Sequence, residues 1–375
     1  MKMHPLIDQE KQQLAKKYRR ENRIVSIMSN IVSAILVLLL LYFCISKNLV
    51  IFLKTLTEMR FLIGFFYFII IYILYAIIQF PFVYISGYKT EHRYGFSTQT
   101  FAAWFKDWLK SFFVTFIIGA ILFETIYLIT NIAPDFWWLW LSLIMILISV
   151  ILANLFPVLI LPLFYKTTPM ENEPLKKRII EICNHAKINI KGIYSINLSS
   201  KTTKANAAVI GLGNTKKIVL GDTLLNNYTE DEILSVCAHE ITHDHEHHIW
   251  WLILWQSLST FIMFYIFYKI HPFFYGLAGF EKIDDIASFP LFVLIFVVLS
   301  LILNPLGSAI SRYYERRADQ GALNLTKTPE AFISLMAKFC NNQLSIAYPN
   351  PIIEWYNYSH PSSGKRIAFA EKWNP

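Results

Sequence analysis

Six stretches of this chain are too long and too apolar to belong to a water-soluble core. They are Ile24–Cys44, Phe61–Ile85, Ser111–Thr130, Phe136–Pro162, Ile249–Tyr268 and Pro290–Ile310. A helix of about 20 apolar residues crosses the ~30 Å hydrocarbon core of a bilayer, where every backbone amide must be bonded inside its own helix. The chain is 55% hydrophobic and only 16% charged, whereas an ordinary soluble domain carries about a quarter charged residues. A soluble enzyme, a secreted disulfide scaffold and a disordered protein are excluded. Val50–Leu53 is apolar but too short to span. No small-residue cleavage site follows the first run, so it reads as a retained anchor.

The basic residues orient these spans. Of the 34 Lys and Arg, 29 fall before the first span, in Lys89–Lys110, in Lys166–Lys217 and after the last span. The opposite side holds only Lys47, Lys54, Arg60, Lys269 and Lys282. The positive-inside rule then puts both termini and most of the polar chain in the cytoplasm. The net charge of +8 needs no nucleic acid, because the bases are spread over loops and form no recognition motif. The chain divides into a basic cytoplasmic tail (1–23), four transmembrane helices (24–165), a soluble part (166–248), two further transmembrane helices (249–310) and a C-terminal part (311–375). Cys44, Cys183, Cys237 and Cys340 are scattered without CxxC spacing and read as free thiols.

Within the soluble part, Glu173–Ala186 has helical apolar spacing. Ile193–Leu198, Lys217–Leu220 and an Ala-Ala-Val-Ile segment within Ala205–Gly213 read as strands. Thr229-x-x-Glu232 is a capping box, and the helix it opens is predicted to run through His239 and His243 towards the fifth span. Arg312–Leu325 reads as a helix after the sixth span. Thr328-Pro329 starts another, with proline at the first helical position.

His239-Glu240-Ile241-Thr242-His243 is an HExxH motif. On a helix its two imidazoles lie one turn apart on one face, where a zinc ion can bridge them, and Glu240 can act as general base towards water there. Glu315 and Asp319 are spaced i, i+4 and share a helix face. Glu315 suits the carboxylate ligand of a His2Glu site, and Asp319 can fix a ligand histidine through its other ring nitrogen. His243 lies shortly before the fifth span and Glu315 shortly after the sixth. Two successive spans leave and return to one side, so the three groups end on the same membrane face.

The sequence resembles the type I CAAX prenyl endopeptidases, integral-membrane zinc proteases. The resemblance is carried in order by Glu91-His-Arg-Tyr-Gly-Phe-Ser-Thr-Gln-Thr100, Pro162-Leu-Phe164 with Thr168-Pro169, Ser200-Lys201 through Asn206-Ala207, Ile218–Leu225, His239–His243, Arg312–Asp319 and Ser359-His360-Pro361. It implies one zinc ion per chain on His239, His243 and Glu315, with Glu240 as catalytic base. It implies that Asn206 and His360 approach the substrate or the developing oxyanion, with Arg366 nearby. It likewise implies that Ala207–Ile210, with Ala207 and Val209, is an edge that holds an extended peptide by backbone pairing. The implied fold is a mostly α polytopic membrane barrel enclosing a chamber, with a zincin-like α+β part on the cytoplasmic side. Two spans precede the Glu91 loop where the family typically has three, which leaves the catalytic side unchanged.

The run Asp244–His248 reads as a solvated juxtamembrane segment rather than a second metal site. Glu124, inside a span, either lines the chamber or makes a buried helix-to-helix hydrogen bond. Trp137, Trp138, Trp140, Trp250, Trp251 and Trp255 read as interfacial anchors. A transporter would show inverted repeats or paired broken helices, and neither is present. The sequence therefore points to a monomeric, bilayer-embedded zinc metalloendopeptidase acting near the C-terminus of CAAX-type (prenylated) or related peptides. The alternative is a general membrane-protein quality-control protease with no prenyl requirement.

Overall fold

All six apolar runs are helical in the computed structural model, which describes residues 3–211 and 216–374. Helix α1 (Gln9–Tyr42) is followed by the short α2 (Ile45–Leu56) and by α3 (Arg60–Tyr84), which continues through π-helical turns (Ile85–Thr90) into α4 (Glu91–Arg93). Next come α5 (Phe101–Ile132) and α6 (Trp137–Leu155), the latter prolonged by π-helical turns (Phe156–Ile160) into α7 (Leu161–Phe164). Pro157 sits in those turns, where its missing N–H and its ring disrupt regular α-helical bonding. The last two long helices are α11 (His248–Leu277) and α12 (Phe289–Thr326). Among the described residues, six helices have the length and apolarity to cross a membrane. Helix α2, with 12 residues, is about 18 Å long and falls short of the bilayer core. It packs Val50 and Leu53 into the membrane core, and Ser46 donates to the carbonyl of Ala287 at 2.6 Å.

The membrane core is aromatic. Tyr67, Phe123, Trp137 and Phe267 are fully buried in it. Trp137 meets Phe267 edge-on at 5.7 Å, and Trp138 packs on Phe261 and Tyr265. These two tryptophans therefore lock α6 to α11 rather than anchor an interface, while Trp140, Trp250 and Trp251 remain exposed. Lipid tails are as apolar as these side chains, so close packing supplies the association that the hydrophobic effect cannot. Glu124 faces the bare backbone of Gly64, where an added Cβ would lie 2.8 Å from its Oε1. That oxygen is buried and has no hydrogen-bond partner among the described residues, so the helix-to-helix hydrogen bond is not formed.

The polar part is a small sheet under helices. Strands β1 (Thr167–Pro169), β2 (Gly192–Ile196), β3 (Ala207–Ile210) and β4 (Lys217–Gly221) lie in the order β1-β2-β4-β3. The β2–β4 pair is parallel and the outer pairs are antiparallel. The edge position expected for Ala207–Ile210 is thus the observed one. Gly213, at the expected end of that segment, lies outside the described residues. Helices α8 (Glu173–His185), α9 (Asp222–Asn227), α10 (Glu230–His245), α13 (Pro329–Asn342), α14 (Pro351–Asn357) and α15 (Ser363–Ala370) complete the fold. Leu175, Ile179, Ile218, Leu220, Ile233 and Phe332 form the centre of the core that joins sheet and helices.

Two further expectations change. Residues 9–23 are not a free tail but the opening turns of α1, capped by Asp8, which accepts from the amides of Glu10 and Lys11. Gln12 donates to the Ser345 carbonyl at 2.9 Å and accepts from the Ala347 amide at 3.0 Å. Lys204 pairs with Glu91 at 2.7 Å, and the Tyr18 hydroxyl joins both. The first span is thereby tied to the C-terminal part. The second change is that α10 does not run into the fifth span. It stops at His245, His247 takes φ +58°, and α11 restarts at His248.

Candidate metal centre

Helix α10 begins where the sequence predicts, because Thr229 and Glu232 satisfy each other's free amides. Lys338 and Ser334 of α13 hold the Glu232 carboxylate at 2.7 Å each. Helix α10 also crosses α12 at very close range. A Cβ added at Gly321 would lie within 2.8 Å of three Thr242 side-chain atoms, and Thr242 is itself pinned by donating to the Ala238 carbonyl at 2.7 Å. Glycine is needed here for closeness, not for a turn. The crossing carries His239 and His243 of α10 onto Glu315 of α12. Gly321→Ala should push the helices apart and lower stability by about 1–3 kcal/mol, read as a fall in melting temperature in detergent; an unshifted melt would contradict the close crossing.

The three groups face one another. His239 Nε2 and His243 Nε2 are 3.2 Å apart, His239 Nε2 lies 3.2 Å from Glu315 Oε2, and His243 Nε2 lies 3.4 Å from Glu315 Oε1. Donors about 2.1 Å from a tetrahedral zinc ion are separated by about 3.4 Å. Glu315 Oε2 is buried and accepts no hydrogen bond among the described residues. A buried carboxylate oxygen without a donor is costly unless a cation faces it. The donor set therefore fits zinc, and it is also the one group of three ligating side chains within reach of one another among the described residues.

The surroundings are anionic. His239 Nδ1–H donates to Asp319 Oδ1 at 3.0 Å, the arrangement expected of Asp319. Burial works against a protonated His239, but Asp319 and Glu315 outweigh it and raise its pKa to about 9 in the metal-free protein. An ion entering here displaces that proton, so binding weakens as pH falls. Glu240 shares the cleft with His239. Burial pushes its carboxyl above the ordinary range, against the opposing influence of the two histidines and the Val209 backbone amide.

The other predicted residues divide. Asn206 and Ala207 line a cleft of about 400 Å³ together with His239, Glu240, His360 and Arg366. Asn206 Oδ1 accepts from the Ala207 amide at 3.0 Å, and its carbonyl accepts from Gly221 at 2.9 Å. The cleft floor is apolar, formed by Leu224, Val236, Phe332, Leu335, Met336 and Phe339. His360 is exposed, and its Nε2 lies 3.2 Å from Glu315 Oε1. Arg366 reaches the cleft, but its guanidinium is bound to Asp319, with Nε donating at 2.9 Å.

Several supporting residues escaped the sequence reading. Arg312 donates to the carbonyls of Glu354, Trp355 and Tyr358, and Glu354 accepts from the Ser362 amide. Together they hold the loop that carries His360. The Asp244–His248 run is solvated only in part, with His245 and His247 exposed. Asp244 pairs with Lys216 at 2.7 Å, Glu246 with Arg317 at 2.6 Å, and His248 is buried against His243. No spacing rule reports these contacts, because they join residues distant in sequence or, for His248, depend on the break at His247.

Comparison with known proteins agrees with this architecture. Residues 1–166 match the family described as CAAX prenyl protease N-terminal, five membrane helices, and residues 169–374 match Peptidase family M48. The uncharacterized metalloprotease YhfN of Bacillus subtilis is 34% identical over 290 residues, 76% of this chain and 68% of its own length. CAAX prenyl protease 1 of Saccharomyces cerevisiae is 31% identical over 315 residues, 78% of this chain and 68% of its own. The crystal structure of S. mikatae Ste24p matches with a TM-score of 0.87 over 99% of this chain and 91% of that one, at 24% identity. That likeness shows that the whole chain shares the Ste24p fold. Among the described residues, four helices within 1–166 have the length and apolarity to cross a membrane, one fewer than that family's description names.

Proposed function

The chain belongs to peptidase family M48 and is a multi-pass membrane metalloendopeptidase, and from that premise we propose that His239, His243 and Glu315 hold one zinc ion for hydrolysis of peptides near their C-termini. The observation that carries this reading is the convergence of the buried Glu315 carboxylate and two imidazole nitrogens at tetrahedral edge distances. Zinc at such a centre supplies Lewis acidity and lowers the pKa of its water. Glu240 is the base that takes the proton of the attacking water, and it later returns that proton to the leaving amine. Asp319 holds the His239 ring by accepting from Nδ1–H, and Arg366 neutralises and orients Asp319. His360 stands at the rim of the donor set, where its imidazole N–H can turn to the developing oxyanion.

The substrate lies along β3. An edge strand offers unpaired amides and carbonyls to an extended peptide; Asn206 and Ala207 border the cleft, and the Val209 amide faces Glu240. The 29 basic residues on one side support a cytoplasmic site with both termini cytoplasmic. The resemblance to CAAX prenyl proteases supports a prenylated C-terminus as substrate. Purified enzyme should cleave a prenylated CAAX peptide faster than its unprenylated twin, and a chelator should stop both reactions. Equal rates on the two peptides would instead favour the quality-control alternative.

A further inference from the structure

We propose that His248 positions His243 by accepting from its second ring nitrogen, as the first link of a chain His243–His248–Glu246–Arg317 that mirrors His239–Asp319–Arg366. The inference rests on the zinc reading of His239, His243 and Glu315. With His243 Nε2 turned to the donor set, its proton belongs on Nδ1. Nδ1 of His248 lies 3.1 Å away and can only accept that proton's hydrogen bond if it is unprotonated there. His248 then carries its own proton on Nε2, which faces Glu246 Oε2 at 3.0 Å. The same carboxylate oxygen accepts from Arg317 Nε at 2.6 Å. Each link has one donor and one acceptor, and the sequence of links leaves the His243 Nε2 lone pair free.

The fold is built to make this contact. Residues five apart on a continuous helix point about 140° away from each other, so His248 would face away from His243. The break after His245 reverses this. His247 takes the left-handed conformation, uncommon for a non-glycine residue although histidine tolerates it better than most, and α11 restarts with His248 folded back. His248 is 1% exposed, and its ring centre lies 4.7 Å from that of Tyr314, one residue before Glu315. Both imidazoles of the metal centre thus have their second nitrogen fixed, and each chain of contacts ends on an arginine. Partners of this kind set ring orientation and basicity, and losing one typically costs about 10- to 100-fold in metal affinity.

The test uses the full-length protein in detergent, with Zn2+ affinity measured by chelator competition and the visible absorption of Co2+-loaded protein as a second readout. His248→Leu keeps a buried apolar side chain without the acceptor and should weaken Zn2+ by about 10- to 100-fold and shift the Co2+ bands. His248→Asn returns an amide oxygen close to the place of Nδ1 and should recover most of the affinity. Unaltered affinity and spectrum in His248→Leu, or no recovery in His248→Asn, would overturn the proposal. Should His248→Leu fail to fold, Glu246→Ala on the partly exposed turn should still weaken Zn2+ about tenfold, and wild-type affinity there would overturn it too. Unaltered protein that binds neither ion, or His243→Ala that binds as tightly as wild type, would instead defeat the zinc reading beneath it.

Discussion

Glu240→Gln protein should bind zinc as the unaltered protein does and yet lose about 100- to 10,000-fold in peptide hydrolysis. The reason is geometric. Glu240 follows His239 by one residue on α10, so its side chain leaves the helix about 100° from the ligand face and lines the cleft instead of joining the donor set. Glutamine has the same shape and can still meet the Val209 amide that faces this carboxylate, so packing and metal binding are preserved while the proton acceptor is lost. Single-turnover cleavage of a labelled peptide, alongside metal content on the same sample, measures both halves. Hydrolysis within tenfold of wild type by a zinc-loaded mutant would rule out Glu240 as base.

Glu315→Ala should have a comparable effect by the opposite route, losing the metal and with it the activity. Removing the carboxylate leaves two imidazoles, and a two-ligand site lies outside the three-ligand pattern of catalytic zinc. The loss of affinity should exceed the roughly 100-fold that removal of a supporting partner can cost. The fold should survive, because Asp319 still holds His239 and the Gly321–Thr242 crossing lies away from the deleted group. Chelator competition measures the affinity and thermal unfolding the fold. A Glu315→Ala protein that keeps zinc at wild-type affinity would remove Glu315 from the donor set.

The parts legible in the sequence are those that local rules govern. Apolar runs announce spans because hydrocarbon leaves the backbone no alternative. The Thr229–Glu232 box marks the start of α10, and i, i+4 spacing brings His239 and His243 to one face and Glu315 and Asp319 to another. Membrane topology predicts the joining of those faces, and α11 and α12 deliver it. Contacts set by tertiary geometry were not legible. Trp137 resembles an interfacial anchor by position, yet it is buried because α6 and α11 pack there. The basic residues of α1 resemble a solvated tail, yet Tyr18 and Gln12 dock it on the C-terminal part. His248 resembles one of several surface histidines, and only a single left-handed residue beside it reveals the contact with His243.

The central claim is that two imidazoles and one carboxylate of this chain grip one ion. Elemental analysis of active, purified protein tests it most directly, performed on wild type beside His243→Ala. The account predicts close to one zinc per chain in the first and almost none in the second. Full proteolytic activity from protein that carries no zinc, or equal zinc content in the two samples, would contradict it.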